Sequence, residues 1–237
     1  MTCPRPPLAL LAAIVVAAST LAASHGHAAV IDNFTDTTFG GALLSAPGAI
    51  MHNDIGVAGV AGGNRSISLS ATMATSLVNS VGFEISAGQA SYASGPAANG
   101  AVSLAYGGAG LAAALGGTPQ SIMVNFASFD DGFNLGMDVT VTVSDGVNSA
   151  DLTKNISGSS PGAFSLDFSL ADFNNVGLVD LANLTLIDAN FEAGQGQDFV
   201  LLGINALVPE PASLVVWGTM LLVAGAFWHG RRKRWPR

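Results

Sequence analysis

"MDVTVTVSDGVNSADLTKNI", residues 137–156, decides how this chain folds. Val139, Val141 and Val143 alternate with Asp138, Thr140 and Thr142, a period of two that marks a half-buried β-strand. The Asp145-Gly146 pair that follows predicts a hairpin closed by a two-residue type I′ turn. With the loop closed at Ser144 and Val147, Val143 pairs with Asn148, Val141 with Ala150, Val139 with Leu152 and Leu135 with Ile156. The opposite face pairs Thr142 with Ser149, Thr140 with Asp151 and Asp138 with Thr153, as a solvated sheet surface should. Met137 then meets Lys154, and a lysine there suits an edge strand.

The same period recurs on either side of the hairpin. Ile67, Leu69, Ala71 and Met73 alternate with Ser66, Ser68, Ser70 and Thr72; Ile122, Val124 and Phe126 form a second set, and Phe164, Leu166, Phe168 and Leu170 a third. Weaker strands are expected over 80–86, 101–106 and 181–187, separated by turn clusters such as "SGPAANG" and "GSSPG". Residues 198–207, "DFVLLGINAL", are apolar on both faces and predict a central strand covered on both sides. Residues 111–115 lie between glycines where a short helix would have little more than one turn; such a segment nucleates poorly, so it reads as loop. Many short strands with frequent turns predict a mainly β fold, an antiparallel β-sandwich or jelly roll. It is expected to be flanked by an N-terminal signal helix and a C-terminal transmembrane helix.

Both ends have the composition of processing signals. Residues 1–28 read as a signal peptide: Arg5 precedes an apolar run over 8–23, and Gly26 and Ala28 supply the small residues for cleavage after Ala28 by signal peptidase. At the other end, residues 212–228 carry no charge and make a helix about 25 Å long, enough to cross a bilayer with slight thinning. Arg231, Arg232, Lys233 and Arg234 would hold its far end in the cytoplasm. Between them lies the exported domain, 29–207, whose only basic residues are Arg65 and Lys154 against fifteen acids, a net charge of −13. Nucleic acid is excluded as a partner, because neutralising phosphates takes clustered Lys and Arg. Cys3 is the one cysteine and lies in the signal, so the domain has no disulfide or thiolate site.

Few residues in the domain suggest chemistry. His52 is its only histidine, which excludes Ser-His-Asp catalysis built on further histidines and multi-histidine zinc sites, and reads as a surface or hydrogen-bonding residue. Paired carboxylates can hydrolyse glycosides when set roughly 5–9.5 Å apart, but these acids read first as solvated surface charge. Oxygen-rich turns also suit calcium, with "FDDGFN" supplying Asp130, Asp131 and Asn134, and Asp198 standing as a further candidate. None matches an EF-hand loop, and ordinary turn chemistry uses the same residues. Sheet-face sugar sites usually use aromatic platforms, for which the domain offers Tyr92, Tyr106 and its phenylalanines.

The last thirty residues carry a resemblance. Val208-Pro209-Glu210-Pro211, then the apolar run, then the basic end, resembles the PEP-CTERM sorting signal of Gram-negative bacteria. Pro209 and Pro211 keep the triplet extended and accessible, as a protease needs. The resemblance implies export through the inner membrane, processing near the triplet by an exosortase, and a mature form at the cell surface or outside the cell. Many such proteins accompany exopolysaccharide and biofilm formation. The expected function is therefore a non-catalytic matrix or exopolysaccharide-associated β-domain; the alternatives are a carboxylate-pair hydrolase and a self-assembling surface protein.

Overall fold

A computed structural model describes residues 26–36, 39–108 and 110–209. The signal segment up to residue 25, Glu210, Pro211, the apolar run and the Arg231–Arg234 cluster lie outside the described residues. Among those described, no helix is long and apolar enough to cross a membrane. Residues 28–208 cluster as one compact unit, and each residue of the hydrophobic core falls within it.

The strands in chain order are β1 (Gly26–Asp32), β2 (Ala42–Leu44), β3 (Gly48–Ile55), β4 (Asn64–Met73), β5 (Val81–Ser86), β6 (Gln89–Ser94) and β7 (Asn99–Gly107). Helix α1 (Leu111–Leu115) follows, then β8 (Ser121–Asp130), β9 (Met137–Ser144), β10 (Ser149–Ile156), β11 (Phe164–Ser169), β12 (Leu186–Ala193) and β13 (Asp198–Pro209). They form two sheets. The first has the order β11-β8-β13-β6-β5-β2, with β1 also on β13; the second has the order β10-β9-β12-β7-β4-β3. The fold is thus a mainly β, antiparallel sandwich.

Period-two patterning places the apolar side chains of both sheets in one core. Ile67 and Leu69 of β4, Val102 and Leu104 of β7, Val139, Val141 and Val143 of β9, and Ile187 and Phe191 of β12 point inward from the second sheet. Ile122, Val124 and Phe126 of β8 and Phe199, Leu201 and Ile204 of β13 point inward from the first. The layers meet at an aromatic cluster, where Phe191 lies edge-on to Phe126 at 6.2 Å and 5.1 Å from Phe199, which itself stacks on Tyr92 at 5.0 Å. Such pairs contribute about 0.5–1.5 kcal/mol each beyond burial of their area.

Several expectations change. The 137–156 hairpin forms, but with its register moved by two: Val143 pairs with Ala150, Val141 with Leu152, Val139 with Lys154 and Met137 with Ile156. The loop holds four residues, because the Asp145 side chain accepts the amide hydrogens of Val147 (2.8 Å) and Asn148 (2.7 Å), and Gly146 alone has a positive φ. A shift of two preserves the faces. Met137 therefore joins the core with Ile156, while Leu135 is exposed. Residues 111–115 do form a helix, since burial of Leu111 and Leu115 supplies the tertiary support a lone turn lacks. Residues 181–183 are a 3₁₀ turn capped by Asp180, and the strand starts at Leu186. β13 is central as expected, but its outer face is not covered: Leu202 is 40 % exposed.

Both ends of the compact unit run into the expected processing signals. Ala28 lies within β1, with Ile31 fully buried further along. β13 extends through Val208, which is buried, to Pro209.

Candidate functional site: the polar face of the second sheet

Residues that alternate with the core of the second sheet share its outer face, and strand register sets them in three rows. The first runs Ala49, Ser70, Ala101, Glu192, Asp138, Asn155 from β3 to β10. The second runs Met51, Ser68, Ser103, Asn190, Thr140, Thr153, and the third Asn53, Ser66, Ala105, Asp188, Thr142, Asp151. Each row crosses six strands roughly 4.8 Å apart, or about 24 Å in all. Apart from Met51 the side chains are small or polar, so the face presents hydroxyls, amides and carboxylates.

Neighbouring side chains are knitted together. The Ser103 hydroxyl donates to Asp188 at 2.6 Å, Asn155 donates to Asp138 at 2.7 Å, the Thr140 and Thr153 hydroxyls are 2.8 Å apart, and Asn190 donates to Glu192 at 3.3 Å. Partial burial pushes the Asp188 carboxyl above its ordinary range, and the Ser103 hydroxyl opposes that shift. Each carboxylate oxygen has two lone pairs, so these contacts fix the side chains and leave acceptor sites for a ligand.

The first row ends in a shallow groove of about 550 Å³ between Ser70, Asn99, Asp138, Asn155, Glu192 and the loop at Leu135-Gly136. Phe133, 55 % exposed, and Leu135 are carried on that loop. Asp131 fastens it. One carboxylate oxygen accepts the Gly136 amide (2.8 Å) and the Gln197 side-chain amide (2.7 Å), and the other accepts the Gly158 amide at 2.7 Å. Burial works to raise its pKa, but the donors from Gly158, Gly136 and Gln197 outweigh it and hold the carboxyl below its ordinary range. Gly132 is required here: its φ is +57° and a Cβ would run into the Gly196 carbonyl.

The four residues read as calcium candidates divide between two places. Asp131 is taken up by the loop just described, and Asn134, at φ +58°, shapes the same turn. Asp130 and Asp198 come together instead, directly opposite each other across β8 and β13. Asp130 accepts the Gly132 amide (3.2 Å) and the Ser159 hydroxyl (2.9 Å), and Asp198 accepts the Ser94 amide at 3.1 Å. Partial desolvation raises the Asp198 carboxyl, the Ser94 amide opposes this, and the charge of Asp130 adds to the rise. Among the described residues, no group of three or more His, Cys, Asp or Glu is arranged to hold a metal ion.

Tyr92 and Tyr106 are both core residues, so neither serves as a surface platform; burial pushes each phenol far above its ordinary range. His52 is half-exposed, 2.6 Å from the Asp54 carboxylate and against the Phe39 ring at 5.2 Å. Behind it lies a feature the sequence reading passed over. Arg65 is fully buried, its guanidinium bonded to Asp54 (2.8 Å), Asp32 (3.0 Å) and Asp36 (3.2 Å). Its place in sequence was the available signal, because Arg65 shares the parity of Ile67 and Leu69 and so had to face inward.

No protein-family model matches the sequence, and neither does any curated protein. Among solved structures the chain is similar to the family 11 carbohydrate-binding module of the cellulosomal cellulase Lic26A-Cel5E of Clostridium thermocellum, at 12 % identity over 78 % of this chain and 96 % of that one, with a TM-score of 0.40. A Clostridium thermocellum family 11 module in complex with a β-1,3-1,4-mixed-linked tetrasaccharide matches at 13 % identity over 78 % and 98 %, with a TM-score of 0.40. TmCBM61 in complex with β-1,4-galactotriose matches at 12 % identity over 68 % and 88 %, with a TM-score of 0.34.

Proposed function

We propose that this chain is an exported, non-catalytic polysaccharide-binding protein whose outer second-sheet face lies along a glycan of the extracellular matrix. The observation that carries this reading is the set of three rows, in which Ser66, Ser68, Ser70, Ser103, Thr140, Thr142, Thr153, Asn155 and Asn190 supply closely spaced donors and acceptors. A sugar chain is a row of hydroxyls at similar spacing, and repeated weak hydrogen bonds over about 24 Å suit an extended polymer. Leu135 supplies an apolar side chain at one end of the groove. Asp138, Asp151, Asp188 and Glu192 on the face, with a domain charge of −13, favour a neutral or amino-bearing glycan and oppose a uronate or sulfated one. Co-sedimentation with polysaccharide fractions tests this: neutral or amino-bearing polymers should pull the protein down, and retention by polyanions alone would contradict it.

Delivery follows from the ends of the chain. The N-terminal segment directs export through the inner membrane, signal peptidase removes it after Ala28, and an exosortase acts at the Val208–Pro211 motif while the Arg231–Arg234 cluster holds the tail at the cytoplasmic face. What supports this is the order of triplet, apolar run and basic end. Replacing Glu210 and Pro211 by alanine should trap the protein in the inner membrane; unchanged surface delivery and mature mass would overturn the sorting reading.

A second reading rests on one observation, the adjacency of Asp130 and Asp198. Cross-strand neighbours have Cβ atoms about 4.5–5.5 Å apart, near the carboxylate spacing of roughly 5–5.5 Å used by retaining glycosidases. On that reading the protein releases reducing sugar from its matrix polymer and Asp198→Asn abolishes the release; no release by the wild type refutes it.

A further inference from the structure

The sandwich is guarded on one side and open on the other. At β10 the edge is occupied: the Asn174 amide donates to the Asp151 carbonyl at 2.9 Å, and the Lys154 ammonium reaches the Asp167 carbonyl of β11 at 2.5 Å, clasping the edges of the two sheets. A bridging segment and a lysine are the devices that keep strand edges from pairing further.

At the opposite end of the second sheet, β3 pairs with β4 over eight residues without a register break, and among the described residues nothing pairs with the other edge of Gly48–Asn53. This strip has no proline, lysine, bulge or carboxylate. Met51 is 69 % exposed and Ile50 is also exposed. The facing edge of the first sheet is β2, only three residues long, so β3 overhangs it.

We infer that β3 pairs edge to edge with β3 of a second copy of this chain. Three features select that occupant. The domain is strongly acidic, and 48–53 is an acid-free strip on which two copies can meet with little repulsion. A two-fold axis perpendicular to the sheet preserves side-chain parity, so Met51 meets Met51, Ile50 meets His52 and Ala49 meets Asn53, with no like-charged pair between them. The pairing also uses up the open edge, and because β10 is guarded, assembly stops at a dimer. Two six-stranded sheets become one of twelve, with the outer-face rows of both copies aligned across it.

Site-directed crosslinking of the full chain tests this. With Cys3→Ser removing the native thiol, Met51→Cys should give a product of doubled mass with a short bismaleimide, whereas Thr153→Cys on β10 should stay monomeric. Adding Asn53→Lys to Met51→Cys should reduce the crosslinked fraction at least tenfold. A monomeric Met51→Cys protein, or equal crosslinking at both positions, overturns the pairing.

Discussion

Asp130 and Asp198 face each other directly across β8 and β13, two carboxylates paired between strands that otherwise pair apolar and neutral residues. Like charges in this position destabilise a sheet by roughly 0.2–1 kcal/mol, and the exposure of Asp198 puts the effect at the lower end. The raised carboxyl of Asp198 means that the folded state binds the proton more tightly than the unfolded chain does. This contribution therefore costs stability as pH rises from about 3.8. Asp198→Asn keeps an acceptor for the Ser94 amide and should raise Tm at pH 7, with the gain vanishing below pH 3.8 in a thermal melt.

Asp131 and Gln197 make the opposite case. The carboxyl of Asp131 is held below its ordinary value, so the stability it contributes is present above pH 3.8 and lost as pH falls through its folded value. Asp131→Ala leaves the Gly136 and Gly158 amides without their acceptor, and leaves the Gln197 amide with only its second bond, to the Gly136 carbonyl at 2.8 Å, a cost of roughly 1–3 kcal/mol for each N–H left unsatisfied. Denaturant unfolding at pH 7 should show a loss of at least that size, and hydrogen exchange should rise in the loop that carries Phe133 and Leu135.

Arg65 is the cation that makes burial of Asp32 and Asp54 tolerable. Burial raises the Asp32 carboxyl, opposed by the Phe34 amide and by Arg65. Arg65→Met should cost about 3–5 kcal/mol in a denaturant titration, because it leaves buried charge uncompensated. Adding Asp32→Asn to that variant should recover part of the loss, which a simple packing defect would not.

The end of β13 sets a limit on processing. Val208 is buried, and Gly117 lies so close to its side chain that a Cβ there would clash. A cut before Val208 would remove a core residue from the sandwich. Intact-mass analysis of the mature protein should therefore find a C-terminus at Val208 or beyond.

The strands were legible where large apolar residues alternate, as at Val139, Val141 and Val143. They were hidden where the buried positions are small: in β12, Ala189 and Ala193 dilute the pattern that Ile187 and Phe191 carry, and only the start of that strand was expected. Loop length at Asp145 was misread because its side chain caps the turn, a competition that a two-residue motif does not show. The polar face was half legible. Each strand's outward Ser, Thr or Asp could be named, but β12 lies between β7 and β9, and no local pattern places Asn190 between Ser103 and Thr140. Rows across non-adjacent strands exist only after tertiary closure.

Calorimetric titration of neutral and amino-bearing oligosaccharides into wild type and into an Asn190→Ala, Thr140→Ala pair tests the central claim most directly. Both substitutions lie on the outer face of the middle row and leave the core untouched. The account predicts wild-type binding that tightens with oligosaccharide length and falls at least tenfold in the variant while Tm changes little. Equal affinity in both proteins, or no binding of any neutral or amino-bearing glycan by the wild type, would contradict it.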